Sequence, residues 1–213
     1  MPDIASFIQQ FAILALPVLL AITLHELAHG YTAYLLGAPT AKNAGRLTLN
    51  PIKHLDPIGT IALFLIKIGW AKPVPINAAY FSNLRRDLIL VSIAGPAVNF
   101  VLAAVFALLF HLLYAALSTA AGSAALPVLE PLLYMCQAGV LINIGLGTFN
   151  LLPVPPLDGS NILAGLLPPK WARAFLQNST YGIVILVLLL VSGVAQKVIV
   201  PVIYGLGGFL VPL

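Results

Sequence analysis

The chain has 213 residues, of which 61% are hydrophobic and only 8% are charged, and its formal net charge is +4. A soluble globule needs more polar side chains than this to cover its surface, so the composition excludes a soluble protein and indicates an integral membrane protein in a lipid bilayer. The single cysteine, Cys136, excludes an intramolecular disulfide framework, and the lack of a basic stripe argues against nucleic acid as a partner.

Four apolar stretches are long enough to cross a bilayer, which takes about 20 residues at a rise of about 1.5 Å each. These predicted spans cover residues 4–36, 88–118, 126–150 and 179–196. A shorter stretch, 58–69, contains Lys67 and is predicted to be re-entrant or interfacial, whereas 198–213 is broken by Pro201 and three glycines and is predicted to be a half-helix or a surface tail. The predicted fold class is an all-α polytopic membrane protein with about four to six transmembrane helices, in a single domain over residues 1–213.

The region between the first two spans has a different pattern, in which apolar and polar residues alternate over short runs interrupted by proline and glycine. The pattern occurs in NAGRLTLN at 43–50 and in KPVPINAAYF at 72–81. Alternation with a period of two is typical of strands, so we expect small re-entrant or interfacial β elements here, with edge loops at the cytoplasmic interface as the alternative.

The basic residues indicate how the spans are oriented. Nine of the ten lie between the first and second predicted spans or between the third and fourth, namely Lys42, Arg46, Lys53, Lys67, Lys72, Arg85, Arg86, Lys170 and Arg173. Because short loops rich in lysine and arginine stay in the cytoplasm, this side of the membrane is predicted to be cytoplasmic.

The first span contains the motif HELAHG at 25–30, in its cytoplasmic half. Residues four apart lie on one face of a helix, so His25 and His29 can present two imidazoles to one metal ion, with Glu26 beside them. Two neutral imidazoles and a carboxylate are parts of a zinc peptidase, in which the ion activates water and the carboxylate accepts its proton. A pair of structural histidines is the alternative, but ionisable groups within a span are costly and usually mark function.

Two histidines leave a zinc site one protein ligand short, and few acidic residues remain to supply it. Asp3 and Glu130 are predicted near the opposite face, and a charge pair or a dipole interaction explains Asp87 where its helix begins. Of Asp56 and Asp158 we favour Asp158, because the proline-rich NLLPVPPLDGSN around it predicts a stiff, non-helical backbone at the cytoplasmic end of the third span. An ordinary turn aspartate is the alternative.

Three ordered motifs carry a family resemblance that extends over nearly the whole chain. HELAHG at 25–30, GPAVNF at 95–100 and NLLPVPPLDG at 150–159 together resemble the site-2 protease family of intramembrane zinc metalloproteases, peptidase family M50. The resemblance implies one Zn²⁺ ion and these protein groups: the ligands His25, His29 and Asp158, and the general base Glu26.

The resemblance also implies which substrates are cut and which other residues lie near the metal. The implied substrates are transmembrane segments of other proteins, cut within or near a bacterial or archaeal cell membrane. The chain is similar to the compact members, which have neither an inserted PDZ domain nor an appended CBS domain. Asn99 and Asn150 are implied to lie near the metal, where an amide can hold a substrate strand or a tetrahedral oxyanion. Hydrogen bonding between helices is the alternative for both asparagines.

Two other functions remain as alternatives. A zinc peptidase whose third ligand is a glutamate on a later helix would need Glu130, which is predicted on the wrong side. A non-catalytic membrane protein that binds transmembrane helices, such as a pseudoprotease or a transporter, belongs to a different class, and the intact Glu26 argues against the pseudoprotease.

A helical substrate has to unwind locally before its peptide bond can be cut. An exposed strand edge can pair with the extended chain, so we hypothesise that 43–50 or 71–81 forms such an edge. A lipid-surface loop without substrate contact is the alternative.

Overall fold

The computed structural model describes residues 4–66, 69–119, 125–177 and 179–212. Within these residues the chain forms nine α-helices and two 3₁₀ turns. The helices are α1 (Ile4–Leu35), α2 (Thr40–Asn43), α3 (Pro57–Ile66), α4 (Leu84–Thr119), α5 (Leu126–Asn150), α6 (Asp158–Leu166), α7 (Pro169–Gln177), α8 (Ser179–Val191) and α9 (Val194–Leu210). The 3₁₀ turns are Pro51–Lys53 and Ala78–Tyr80.

Three helices in the described part of the chain are long and apolar enough to cross a membrane. They comprise Ile8–Leu35 of α1, Leu84–Ser118 of α4 and Leu126–Asn150 of α5. Helices α7 and α8 supply a fourth span if they cross together as one broken span. The predicted all-α membrane bundle is therefore confirmed, and the first three predicted spans correspond to α1, α4 and α5.

Helices α1, α4 and α5 pack against one another at the centre of the bundle. The core between α4 and α5 pairs large side chains with small ones, and a methyl group on Gly139 would collide with the ring of Phe106. Small residues at such contacts let helices in a membrane approach closely. Helix α9 packs against this core through Val202 and Ile203, and Cys136 lies within it as a free thiol.

The fourth predicted span, 179–196, is interrupted between α8 and α9. Gly193 separates the two helices with a φ of 75°, in the left-handed region that glycine adopts without strain. Hydropathy does not reveal this break, because a single glycine is compatible with an apolar run. Most of the stretch 198–213 belongs to α9, which begins at Val194 and continues through Pro201.

Residues 43–50 do not form the predicted strand. Helix α2 ends at Asn43, Gly45 turns the chain with a φ of 64°, and the Arg46 N–H donates to the Ala41 carbonyl at 2.9 Å. These local bonds leave no straight run of backbone for a ladder. The strand prediction is wrong here: the apolar residues share no buried face, since Leu47 is half-buried and Leu49 is exposed.

The second predicted strand is not formed either. Residues 72–77, here called the proline segment, are non-helical and end at the 3₁₀ turn of Ala78–Tyr80. Pro73 and Pro75 lack the N–H groups that a ladder requires, so this segment cannot pair regularly with a neighbour. Prolines also favour an extended backbone for the residues before them, which keeps the segment from becoming helical.

Helix α3 occupies most of the stretch 58–69, which was predicted to be re-entrant or interfacial. Its 10 residues rise about 15 Å, half the hydrocarbon thickness, so α3 is too short to span. Lys67, which entered that prediction, lies outside the described residues. Among the described residues one isolated antiparallel bridge occurs, between Leu55 and Ala71, and it joins the chain before α3 to the chain after it.

Candidate metal centre

His25 and His29 lie one helical turn apart on α1 and face the interior of the bundle. Their Nε2 atoms are 3.0 Å apart, and the two residues are only 6% and 7% exposed. Asp158, the first residue of α6, places its Oδ2 atom 3.2 Å from each Nε2. The three side chains expected to bind a metal thus converge, with ligand atoms all within 4.8 Å of one another.

The partners of the Nδ1 atoms determine where the imidazole protons lie. His25 Nδ1 is 2.6 Å from Asn99 Oδ1, and His29 Nδ1 is 2.7 Å from the Val91 carbonyl oxygen. Both partners are acceptors, so each Nδ1–H donates and each Nε2 keeps its lone pair. Histidines that bind metals are commonly oriented in this way, by donating the other ring N–H to a protein oxygen.

The donor set fits a zinc ion. Two Nε2 lone pairs and the Asp158 carboxylate face one another at 3.0 to 3.2 Å, and Asp158 Oδ2 is buried without a hydrogen-bond donor among the described residues. Buried lone pairs in this arrangement are unfavourable until a cation lies between them. Ligands about 2.0 Å from a tetrahedral Zn²⁺ lie about 3.3 Å apart, which is close to the distances here.

Asp158 is negatively charged in this setting. Burial by itself raises the pKa of the Asp158 carboxyl, but in the metal-free protein a proton on His25 or His29 Nε2, in the place that a metal ion would take, lowers that pKa below its usual range. Asp158 also begins α6, where the helix dipole favours a negative charge. A methyl group on the following Gly159 would collide with the Leu151 carbonyl, so this glycine lets the ligand loop fold closely against itself.

Arg85 joins the helix that carries Asp158 to α4. Its Nε donates to the Gly165 carbonyl at 3.0 Å, and its Nη2 donates to the Leu167 carbonyl at 2.9 Å. These carbonyls lie at the end of α6, where helical carbonyls lack intrahelical partners and a cation is favourable. The contact therefore fixes α6, and with it Asp158, the predicted third ligand, relative to α4.

Asn99 is fully buried on α4, and its amide is occupied within the bundle. Its Oδ1 accepts the proton of His25 Nδ1, while its Nδ2 donates to the Ala21 carbonyl at 3.3 Å and to Asn143 Oδ1 at 2.9 Å. Asn143 Nδ2 in turn donates to the Gly139 carbonyl at 2.9 Å. Asn99 thus lies beside a ligand as expected, but both of its donors are used by protein groups and none is left for a substrate.

Gly95, in the GPAVNF motif, lets α4 lie directly against the two histidines. A methyl group on Gly95 would collide with His29 Nε2 and would lie 2.6 Å from His29 Cε1 and 2.7 Å from His25 Cε1. Any side chain at this position would therefore push the imidazoles away from their present positions. Gly95 is therefore needed both for the present positions of the two imidazoles and for the close packing of α4 on α1.

An apolar cavity of about 1090 Å³ adjoins the three ligands, and Glu26 forms part of its wall. Glu26 Oε2 accepts a hydrogen bond from the Val74 backbone N–H at 2.9 Å, and no described residue donates to its Oε1. Asn150 also lines the cavity, and its Nδ2 donates to the Leu146 carbonyl at 3.0 Å. The cavity thus offers a carboxylate and an amide beside the metal ligands within a mostly apolar wall.

Sequence reasoning missed two groups that contact the site residues. Asn143 lies inside the third predicted span, where the rule that polar groups within membranes mark function would have singled it out. The Val74 N–H has no signal in the sequence, because every residue except proline carries such a group.

Comparison with known proteins agrees with the zinc-binding donor set. The family described as Peptidase family M50 matches residues 11–192. A Bacillus subtilis (strain 168) protein named "Putative zinc metalloprotease YwhC" is 41% identical over 190 residues, which are 88% of this chain and 84% of the relative. No solved structure matches the chain significantly.

Two mycobacterial relatives carry a similar name, "Putative zinc metalloprotease Rip2". The protein from Mycolicibacterium smegmatis is 31% identical over 194 residues, 88% of this chain and 70% of the relative. The protein from Mycobacterium tuberculosis (strain H37Rv) is 32% identical over 184 residues, 82% of this chain and 64% of the relative. Because the family match covers most of a chain with several apolar spanning helices, this multi-pass membrane protein belongs to peptidase family M50, the site-2 protease family of zinc metalloproteases.

Proposed function

We propose that the chain is an intramembrane zinc endopeptidase that hydrolyses peptide bonds within or near transmembrane segments of other membrane proteins, in regulated intramembrane proteolysis. One observation carries the proposal: two of the metal ligands, His25 and His29, lie inside a helix long enough to cross the membrane. The adjoining cavity of about 1090 Å³ has mostly apolar walls, which suits the side chains of a lipid-embedded segment.

In this proposal His25, His29 and Asp158 hold one Zn²⁺ ion. When bound, the ion supplies Lewis-acid chemistry, in that it lowers the pKa of a water ligand and polarises the scissile carbonyl. Glu26 is the general base of the HExxH motif: it accepts a proton from water and later delivers it to the leaving amine. Because Oε2 is held by the Val74 N–H, Oε1 is the oxygen available for this proton.

We assign different roles to the two asparagines. Asn150 lines the cavity and spends one amide proton on the Leu146 carbonyl, so its remaining groups can bind the substrate backbone or the oxyanion. Asn99 is a positioning residue, because its acceptor orients His25 and its donors are used within the bundle.

We propose that the metal centre lies towards the cytoplasm. The support is the distribution of basic residues, since Arg85 contacts the helix that carries Asp158 and belongs to the group of nine on one predicted face. A single-cysteine variant, Lys53→Cys in a Cys136→Ala background, tests this with a membrane-impermeant maleimide. We expect the maleimide to label the introduced cysteine in inverted membrane vesicles, where the cytoplasmic face is exposed, and not in intact cells. Labelling of that cysteine in intact cells would contradict the proposed orientation.

We propose that the proline segment binds the substrate backbone, although it is not a strand. Ile76 lines the cavity, and neither its N–H nor its carbonyl has a hydrogen-bond partner within the described ranges. Ile76→Pro removes that N–H and should weaken cleavage of a transmembrane substrate. Cleavage at the unchanged rate would show that the segment is only a surface loop.

The decisive experiment is cleavage of a synthetic transmembrane substrate by purified protein in liposomes, with zinc content measured in parallel. We expect Glu26→Gln to keep zinc and to lose cleavage, because the amide cannot accept the proton. Asp158→Ala should lose zinc affinity as well as cleavage. Glu130→Gln is the matched control, since it makes the same chemical change on an exposed residue about 30 Å along α5 from Asn150.

Two outcomes would overturn the proposal. Full cleavage by Glu26→Gln would remove the proposed mechanism. Zinc-containing wild-type protein that binds the transmembrane substrate without cutting it would favour the non-catalytic alternative.

A further inference from the structure

Arg46 is a buried cation without a carboxylate partner among the described residues. It is only 6% exposed and makes no ion pair there, although it lies in a chain with few charged side chains. Its Nη1 donates to the Pro73 carbonyl at 3.0 Å and its Nη2 donates to the Lys72 carbonyl at 2.6 Å. A buried guanidinium without a counter-ion is costly, so these two bonds to the proline segment need a reason.

The residue after this pair of carbonyls contacts the catalytic glutamate. The Val74 N–H donates to Glu26 Oε2 at 2.9 Å, one residue beyond the Pro73 carbonyl that Arg46 holds. The Lys72 N–H also donates to the His54 carbonyl at 2.9 Å. Arg46 and the His54 carbonyl thus hold Lys72 and Pro73, immediately before Val74, whose N–H bonds to Glu26.

The proline segment also packs directly on α1, one helical turn beyond Glu26. A methyl group on Gly30 would lie 2.9 Å from Leu47 Cδ2 and 3.0 Å from Val74 Cγ1. The glycine that ends the HELAHG motif thus leaves room for Val74 and Leu47. This close packing at Gly30 fixes the position of the Val74 N–H along α1, and so its position relative to the Glu26 carboxylate.

We infer that Arg46 is a positioning residue for Glu26, and that it acts by fixing the proline segment so that the Val74 N–H holds Glu26 Oε2. The inference rests on the proposed role of Glu26 as general base. With Oε2 held, Oε1 is directed to one function, the transfer of a proton between water and the leaving amine. A displacement of about 1 Å in such a group can cost about 100-fold in rate.

The test compares four variants and three further control variants by cleavage of a synthetic transmembrane substrate in liposomes, with kcat, KM and zinc content determined for each. Arg46→Gln removes the charge and one of the two parallel donors, and Arg46→Lys keeps the charge but can bind only as a point donor. Val74→Pro deletes the N–H that contacts Glu26. The double variant Arg46→Gln with Val74→Pro completes the cycle.

We expect kcat to fall about 10- to 100-fold in Arg46→Gln, with KM and zinc content near wild type. Arg46→Lys should recover part of that loss. The kcat of Val74→Pro should fall by at least as much as that of Arg46→Gln. The kcat of the double variant should be no lower than that of Val74→Pro, because both changes break the same contact between Val74 and Glu26. Val74→Ala keeps the N–H, so its kcat should fall less than that of Val74→Pro. Lys42→Gln, on α2 four residues before Arg46, controls for loss of a surface charge.

Three outcomes would overturn the inference. One is a wild-type kcat in Arg46→Gln, and another is additive losses in the double variant. The third is loss of zinc in Arg46→Gln together with an unimpaired kcat in Val74→Pro, which would assign Arg46 a purely structural role. Glu26→Gln separates the two proposals: if it is inactive while Arg46→Gln is normal, only the positioning role fails, and if it is active, the role of Glu26 fails first.

Discussion

Substitution of Gly95 by alanine tests whether the closeness of α4 to the histidines controls zinc binding. The added methyl group would lie 2.6 Å from His29 Cε1, whereas ordinary contact begins at 3.4 Å, so the ring has to retreat by about 0.8 Å. Bonds between zinc and its ligands tolerate only about 0.2 Å. The ring cannot retreat freely either, because its Nδ1 is bonded to the Val91 carbonyl at 2.7 Å.

The magnitude of the effect follows from this conflict. Loss of a supporting contact to a metal ligand typically lowers metal affinity about 10- to 100-fold, or about 1.4 to 2.8 kcal/mol, and the same range is expected for Gly95→Ala. Overpacking adds a stability cost of about 1 to 3 kcal/mol. The higher helix propensity of alanine offsets about 1 kcal/mol of that cost, so zinc affinity is the more sensitive measurement.

The assay is a competition titration of zinc against a chromophoric chelator, with purified protein in detergent. Gly205→Ala is the matched control, because it makes the same change inside α9 where a methyl group meets nothing within 4 Å. We expect Gly205→Ala to bind zinc like the wild type. Equal zinc affinity in Gly95→Ala would refute the argument that the helix approach sets the geometry of the ligands.

Three further predictions concern the surroundings of the site. Asn99→Leu should lower zinc affinity about 10- to 100-fold in the same titration, because His25 Nδ1 loses its acceptor, and Asn143→Leu should lower it less, since Asn143 lies one hydrogen bond further away. Removal of zinc by a chelator should lower the thermal unfolding midpoint, because bound zinc at 100 times its Kd contributes about 2.7 kcal/mol to the free energy of unfolding. Glu26→Gln should show the same shift of the midpoint as the wild type. Asp87→Ala should lower the denaturant midpoint of unfolding without changing zinc affinity, because the Asp87 carboxylate accepts a hydrogen bond from the Asn83 N–H where α4 begins; an unchanged midpoint would contradict that role.

Local patterns account for the features that the sequence predicts well. The first three spans were predicted correctly because a long apolar run depends only on consecutive residues and on the thickness of the bilayer. The pairing of His25 with His29 follows from the helical repeat in the same way. Asp158 was favoured from its predicted side of the membrane and from a predicted non-helical loop. The structure places it 3.2 Å from both histidines, but as the first residue of α6, so only residues 151–157 before it are non-helical.

Predictions failed where the outcome depended on contacts between distant segments or on a single backbone angle. The alternating pattern at 43–50 predicted a strand, but a strand needs a neighbouring strand to pair with, and the described residues contain a single isolated bridge, between Leu55 and Ala71. The span predicted at 179–196 is broken at Gly193 by a left-handed φ that hydropathy does not register.

The sequence by itself determined the membrane class, the three main spans and the two imidazoles on one face of α1, because each depends on composition or on spacing within one helix. Only the tertiary structure decided how Asn99 is used, since its amide is consumed by Asn143 and His25 from two other helices. The tertiary structure also brought the Val74 N–H to Glu26, 48 residues away along the chain. Contacts of this kind depend on how loops pack on the bundle, which no local pattern encodes.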